Sequence, residues 1–328
     1  MLKVGVFGAG HLAKIHIEHW KEIPGTSLTG FYAPGDANAA AIAEAFGLKR
    51  FNSIDDLIDA SDALDITTTA GNHYEIAEKC ILNQKHVFIE QPLSASVDEA
   101  AELVKLVHEA NVKCQVGQGE RYNPAFRALA GRNLQPMFIE AHRLAQPGVP
   151  GRDISVIMDL MIHDIDIVLH MVKSPVKRIS ASGVAIINDT ADIASARIEF
   201  DNGCVANLTA SRISLISMQK MRLFQRDAYI GIDFLDKKTE VMSLTDATRA
   251  AGPVHFPLEM ANGDKKMISV ELPDIQMYDA VRSQLEDFAD AVINDKPVRV
   301  SVYDGFQAMD VADQVLKKMS LHNEMHNV

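Results

Sequence analysis

Asp159, His163, Asp166 and His170 recur at spacings of four, three and four in a largely apolar stretch of the sequence that also holds Asp164. On an α-helix those spacings set them on one stripe, while Leu160 and Ile167 cover other faces. A lone histidine on such a helix is usually a packed or surface residue. Four polar groups are harder to explain by packing, because burying them without partners is costly. Two chemistries fit. Asp159 and His163 can form an acid–base pair in which the imidazole titrates near neutrality and the carboxylate holds the ring. Alternatively, carboxylate and imidazole at i and i+4 could ligate a metal for hydrolysis, though neither a cysteine pair nor an HExxH supplies further ligands.

A second constellation opens the chain. Gly8-Ala9-Gly10-His11-Leu12-Ala13 follows the apolar run Leu2 to Phe7. In a strand–turn–helix, Gly8 makes the tight turn, Gly10 lets the backbone approach a pyrophosphate, and Ala13 keeps the helix close to the sheet. The helix N-terminus, with His11 and Leu12 in its first turn, then stabilises the negative charge. The plainer reading is a glycine turn that only packs helix on sheet. A dinucleotide site also expects an acid about 20 residues on, for the adenosine ribose. Ala33 occupies that place and cannot accept a hydrogen bond; Asp36 could substitute, or simply cap a helix. Positions 33 to 38 hold no lysine or arginine for a 2′-phosphate, so NAD is expected over NADP.

The remaining candidates sit where strands should end. Glu90-Gln91-Pro92, Thr67-Thr68-Thr69 and His73 would line the carboxyl rim of a parallel sheet, where ligands collect. Each has a structural reading too: Pro92 ends a strand, a threonine is a solvated loop residue, and His73 belongs to a capping turn. Arg121, Tyr122, Arg143 and Arg152 lead toward the polar helix as substrate candidates; the arginines could bind an anionic substrate bidentately, or form surface ion pairs.

Periodicity places these residues. Strands are expected at Lys3 to Phe7, Ser27 to Tyr32, Ala63 to Thr67, Val87 to Glu90 and Val112 to Val116, with helices near 11–23, 36–46, 72–84 and 96–110. That alternation implies parallel strands joined by crossovers, hence a doubly wound α/β sheet. Ser96-Val97-Asp98-Glu99 reads as a capping box. After about residue 120 the pattern changes to one helix, 153–171, and consecutive strands between Val176 and Leu244 without room for crossovers, so an antiparallel sheet is expected. Asp201-Asn202-Gly203 and Asn262-Gly263 signal hairpins. Two helices, near 276–294 and from a Ser301 cap to about Met319, close the chain. The division is therefore 1–120 for cofactor and 121–328 for substrate.

The 328 residues suit about two domains. With 47% hydrophobic and 23% charged residues the chain has ordinary globular composition. Acidic residues exceed basic ones, 44 to 32, which argues against nucleic acid as partner. Cys80, Cys114 and Cys204 are few, odd and dispersed, as in a cytoplasmic protein with reduced thiols. Met1 leads straight into an apolar strand without a signal-peptide pattern, and no run is long enough to span a membrane.

Taken in order, Gly8 to Ala13, Glu90-Gln91-Pro92, Glu120-Arg121-Tyr122-Asn123-Pro124 and Asp159-Leu160-Met161-Ile162-His163-Asp164-Ile165-Asp166 resemble the Gfo/Idh/MocA oxidoreductases. The resemblance spans essentially the whole chain. It implies a Rossmann domain, then an α/β domain with a large, mainly antiparallel open sheet used for contacts in a dimer or tetramer. It also implies NAD(P)-linked oxidation or reduction of a sugar, polyol or nucleotide-sugar hydroxyl, with His163 as acid/base and Asp159 positioning substrate. The stretch Glu140 to Arg152 is similar to nucleotide-sugar-oxidising members. One departure matters: the family tripeptide is Glu-Lys-Pro, and Gln91 replaces its lysine. Losing a charged donor beside the reacting oxygen typically costs about 10²- to 10³-fold in rate. A sensor or scaffold that has kept the fold is therefore the alternative to an enzyme.

Overall fold

The computed structural model describes residues 1–147, 154–246, 254–259, 263 and 265–326. Two compact units emerge, Met1–Tyr122 with Asp279–Asp310, and Asn123–Tyr278 with Val311–Val328. The division is thus not a single cut near residue 120, because a late segment of the chain belongs to the first unit.

In the first unit β1 (Leu2–Phe7), β2 (Thr26–Tyr32), β3 (Ala63–Ile66), β4 (His86–Glu90) and β5 (Cys114–Gly117) form a parallel sheet in the order β2-β1-β3-β4-β5. The intervening helices are α1 (His11–Trp20), α2 (Asp36–Phe46), α3 (Ile54–Ala60), α4 (His73–Leu82) and α5 (Val97–Ala110). The near-continuous apolar strands follow from burial on both faces. The capping box is present: the Ser96 hydroxyl accepts from Glu99 N, and the Glu99 carboxylate accepts from Ser96 N. Periodicity did not single out α3, whose Ser53 cap accepts from Asp56 N at 3.1 Å.

The second unit contains α6 (Pro124–Arg127), β6 (Phe138–Leu144), a π-helical turn (Ile157–Met161), α7 (Ile162–Val172) and the strands β7 (Val176–Val184), β8 (Ile193–Phe200), β9 (Val205–Ser211), β10 (Met218–Phe224), β11 (Ala228–Asp233), β12 (Lys238–Asp246), β13 (Val254–Glu259) and β14 (Lys265–Glu271). They form one nine-stranded sheet in the order β13-β14-β12-β11-β10-β6-β9-β8-β7. Strand β6 was not expected, and it pairs parallel with β9 in an otherwise antiparallel sheet. The chain between them holds α7 and the β7–β8 pair, ample for the crossover that parallel pairing needs. Strands β13 and β14 flank the expected Asn262-Gly263 turn; Gly263 has φ +85° and Asn262 lies outside the described residues.

Helix α8 (Ala280–Ile293) and the start of α9 (Val302–His326) belong to the first unit. Leu285, Phe288 and Ala289 of α8 join a core with Val4, Val6, Trp20, Phe31 and Phe88. The Phe288 ring meets Trp20 and Phe88 edge-on, with centroids 6.4 and 5.8 Å away. Such placement is invisible to local pattern, because the apolar face of α8 does not say which sheet it covers.

Beneath the carboxyl edge of the parallel sheet lies a buried charged cluster. His16 Nδ1 is 2.8 Å from Asp65 Oδ2, and Trp20 Nε1 donates to that same oxygen at 2.7 Å. His16 Nε2 is 3.2 Å from Glu90 Oε1, off the line of a hydrogen bond. Both His16 and Asp65 are fully buried. Burial opposes a charged imidazole, but Asp65 and then Glu90 outweigh it and push the His16 pKa up to about 10.

Because that value lies above the 6.5 of an unperturbed histidine, the stabilisation is full below pH 6.5 and is lost as pH rises toward about 10. His16→Gln should destabilise the protein by roughly 3 kcal/mol at neutral pH, since it leaves two buried carboxylates without their cation. It should also flatten the alkaline loss of stability. Urea unfolding across that range checks both, and an unchanged pH slope in the variant would refute the assignment.

Candidate active site

The carboxyl rim of the parallel sheet gathers most of the cofactor candidates. Gly8 has φ +130°, and a Cβ there would come within 2.6 Å of Thr67 Oγ1. Only glycine tolerates both. Thr67 locks this turn by donating from N and Oγ1 to Phe7 O, each at 2.9 Å. Gly10 occupies the cap of α1 without a side-chain hydrogen bond to its first turn, and a Cβ on Gly10 would meet nothing within 4 Å. Uncapped N–H groups at a helix start, facing open space, suit a pyrophosphate. His11 is exposed and Leu12 half-buried in that first turn.

Ala33 is buried at the end of β2, and its carbonyl accepts from Arg50 Nη2 at 3.0 Å. The sequence window of 33 to 38 missed this guanidinium because it arrives 17 residues later in the chain. The signal was the Phe31–Arg50 bridge, which only pairing reveals. Asp36 opens α2 behind Gly35, which holds the cap position.

Along the same rim, His73 is buried, with Nδ1 2.8 Å from Pro92 O and Nε2 2.9 Å from Thr68 O. It ties the loop after β3 to the loop after β4. Thr68 is half-buried; Thr69 is exposed and its hydroxyl accepts from Asn72 at 3.2 Å. Glu90 accepts from Gln284 Nε2 at 3.3 Å and from Gln91 N at 3.2 Å. A Cβ on Gly117 would strike its carboxylate at 2.6 Å, so glycine is required there for close approach. The Gln91–Pro92 peptide is cis. Arg121 is buried with its Nη2 3.3 Å from Asp304, and the buried Tyr122 hydroxyl accepts from Gln115 at 3.2 Å.

In the second unit, Asp159 lies in the π-helical turn and His163 in the first turn of α7, both half-buried. The expected single α-helical stripe is therefore divided. The wider turn carries more residues than an α turn and shifts the register between Asp159 and the residues of α7. Asp166 is buried, whereas His170 is exposed beside the Phe126 ring, centroids 6.0 Å apart. Asp164 is buried too and holds Arg143 of β6 in a two-point contact, Nη2–Oδ1 2.9 Å and Nε–Oδ2 3.2 Å. The Arg143 guanidinium also lies 5.9 Å from the Phe234 ring. Arg152 lies outside the described residues. Among the described residues no group of three or more His, Cys, Asp or Glu is placed to hold a metal ion, and no helix is long and apolar enough to cross a membrane.

Comparison with known proteins agrees with this architecture. Residues 2–118 match the model of an oxidoreductase family with an NAD-binding Rossmann fold, and 141–227 match the Gfo/Idh/MocA C-terminal domain. The chain is 32% identical over 315 residues to UDP-N-acetylglucosamine 3-dehydrogenase of Acidithiobacillus ferrooxidans, covering 96% of each sequence. A solved structure of that enzyme superposes with a TM-score of 0.87 over 98% of both chains. The scyllo-inositol 2-dehydrogenase (NAD(+)) of Bacillus subtilis is 28% identical over 65% of this chain and 68% of its own. Matches to both domain models in order, with a full-length relative above 30% identity, place the chain in the Gfo/Idh/MocA oxidoreductase family.

Proposed function

We propose that the protein is an NAD(H)-linked dehydrogenase acting on a secondary hydroxyl of a UDP-sugar, in the manner of its UDP-N-acetylglucosamine-oxidising relative. The observation that carries the reading is the open, uncapped start of α1 behind the Gly8 turn, in a chain similar to that enzyme along 96% of its length.

Bound NAD would supply the hydride acceptor, its nicotinamide C4. The chain supplies the rest. Gly8, Gly10, His11 and Leu12 surround the pyrophosphate, Ala33 and Asp36 the adenosine ribose, and Thr67, Thr68, Thr69, His73 and Glu90 shape the rim. During alcohol oxidation the His163 imidazole takes the hydroxyl proton as the hydride leaves the same carbon. Asp159 holds substrate and ring, and the Gln91 amide donates a hydrogen bond to the reacting oxygen. Arg121, Tyr122, Arg143 and Arg152 serve the substrate side, with Arg121 and Arg143 preset by Asp304 and Asp164. The same reading takes residues 121–328, less the stretch 279–310 that belongs to the first unit, as the substrate-binding region, and takes the protein for a cytoplasmic dimer or tetramer that uses the open sheet.

Four outcomes test the proposal. Nicotinamide absorbance should change with at least one member of a UDP-sugar and polyol panel, and His163→Ala should reduce that turnover by about 10²- to 10⁴-fold while NADH still binds. Cofactor binding without turnover on any member would count against a dehydrogenase. Gly8→Val should abolish NADH binding measured by fluorescence, because its side chain meets Thr67. Arg50→Ala should weaken NADP and leave NAD little changed; equal losses of both would show that Arg50 does not face the 2′ position.

A further inference from the structure

Gln91 is not alone. Strands β4 and β5 pair in register with Glu90 opposite Gly117, which makes Gln91 and Gln118 the next residues on two adjacent strand ends. Both backbones are held: Gln91 N donates to Glu90 at 3.2 Å, Gln118 N donates to Val116 O at 2.9 Å, and Gln118 O accepts from Arg121 N at 3.0 Å. Gln118 is 1% exposed. Its Nε2 donates to Gln91 Oε1 at 3.0 Å. That bond joins the acceptor end of the Gln91 amide to the donor end of the Gln118 amide, and leaves Gln91 Nε2 and Gln118 Oε1 buried and without a partner. An unpartnered buried donor at a strand's carboxyl end is a place for a ligand oxygen.

We propose that Gln118 is the positioning residue that fixes the Gln91 amide with its NH₂ presented to the reacting oxygen, so that an oriented neutral donor stands where the family has a charged lysine. The inference rests on the dehydrogenase reading and deepens it. A lysine ammonium carries three equivalent donors and needs no orienting partner. A glutamine is ambiguous: turned over, it would set its carbonyl against the substrate oxygen, an acceptor facing an acceptor. Gln118 narrows the choice: in the observed bond it donates to the Gln91 carbonyl, and turning the Gln91 amide alone would set two NH₂ groups against each other and break that bond. The departure at position 91 is thus one half of a two-residue arrangement, and the donor keeps its role without a charge.

The test compares the full-length wild type with variants at Gln118. In Gln118→Glu the new carboxylate can only accept, so it draws the Gln91 NH₂ toward itself and turns the carbonyl outward. Turnover, kcat, should fall by about 10²-fold, with KM and the NADH dissociation constant changing less than about threefold. Gln118→Leu cannot bond either end and should fall less, by about tenfold. Adding Gln91→Lys to Gln118→Glu should restore most of the lost turnover, since the ammonium can serve the carboxylate and the substrate together. Independently of turnover, the Gln118 side-chain amide NMR signals should move when Gln91→Leu removes their acceptor. Retained kcat in Gln118→Glu, no rescue by Gln91→Lys, parallel loss of NADH affinity, or unmoved amide signals would each overturn the positioning role. An inactive wild type would instead overturn the dehydrogenase reading itself.

Discussion

A buried cation between two carboxylates governs the first unit. His16 comes from α1, Asp65 from β3 and Glu90 from the end of β4, and the three meet in one buried cluster. Two buried carboxylates would repel each other and lose their hydration; the imidazolium between them supplies the compensating charge, and Trp20 adds a hydrogen bond to Asp65. The arrangement binds the helix that follows the glycine turn to two strand ends. It therefore sets where the N-terminus of α1 points relative to the rim, which is what a dinucleotide site requires of a Rossmann sheet.

Glu90 carries that constraint outward. Its carboxylate touches His16 on one side and accepts from Gln284 and Gln91 N on the other, in space that exists because residue 117 lacks a Cβ. Gln284 is on α8, so a helix from late in the chain helps hold the rim. The segment after it runs along β5, where Val116 N donates to Val300 O at 3.0 Å, and Ser301 and Asp304 cap α9 as Asp304 also meets Arg121. Burial raises the Asp304 pKa less than Ser301 and Arg121 lower it, so it remains below the ordinary carboxylate range.

The second unit answers a similar electrostatic problem with a different pair. Arg143 and Asp164 are both buried and meet through two hydrogen bonds, a geometry that fits guanidinium to carboxylate far better than an ammonium would. This locks the face of α7 against β6, and the π-helical turn just before it gives Asp159 its own direction. A short stretch of irregular helix thus separates a structural carboxylate from a candidate catalytic one four residues before His163.

Much of this was legible in the linear chain. The glycine turn, the capping box at Ser96, the Ser301 cap, the alternating first half and the run of strands after it are local signals, each decided by residues within one turn or one strand of one another. The family itself was legible because its motifs occur in order along the whole length. Strand β6, its parallel partnership with β9, the return of residues 279–310 to the first unit, the approach of Arg50 to Ala33, and the pairing of Gln118 with Gln91 were not. In the last two cases 17 and 27 residues separate the partners, and in all of them the deciding contact lies between elements. Composition and periodicity report which face of an element is apolar and where it ends; which element that face meets, and which polar atom is left to face a ligand, depends on packing that minimises buried unpaired charge across the whole unit.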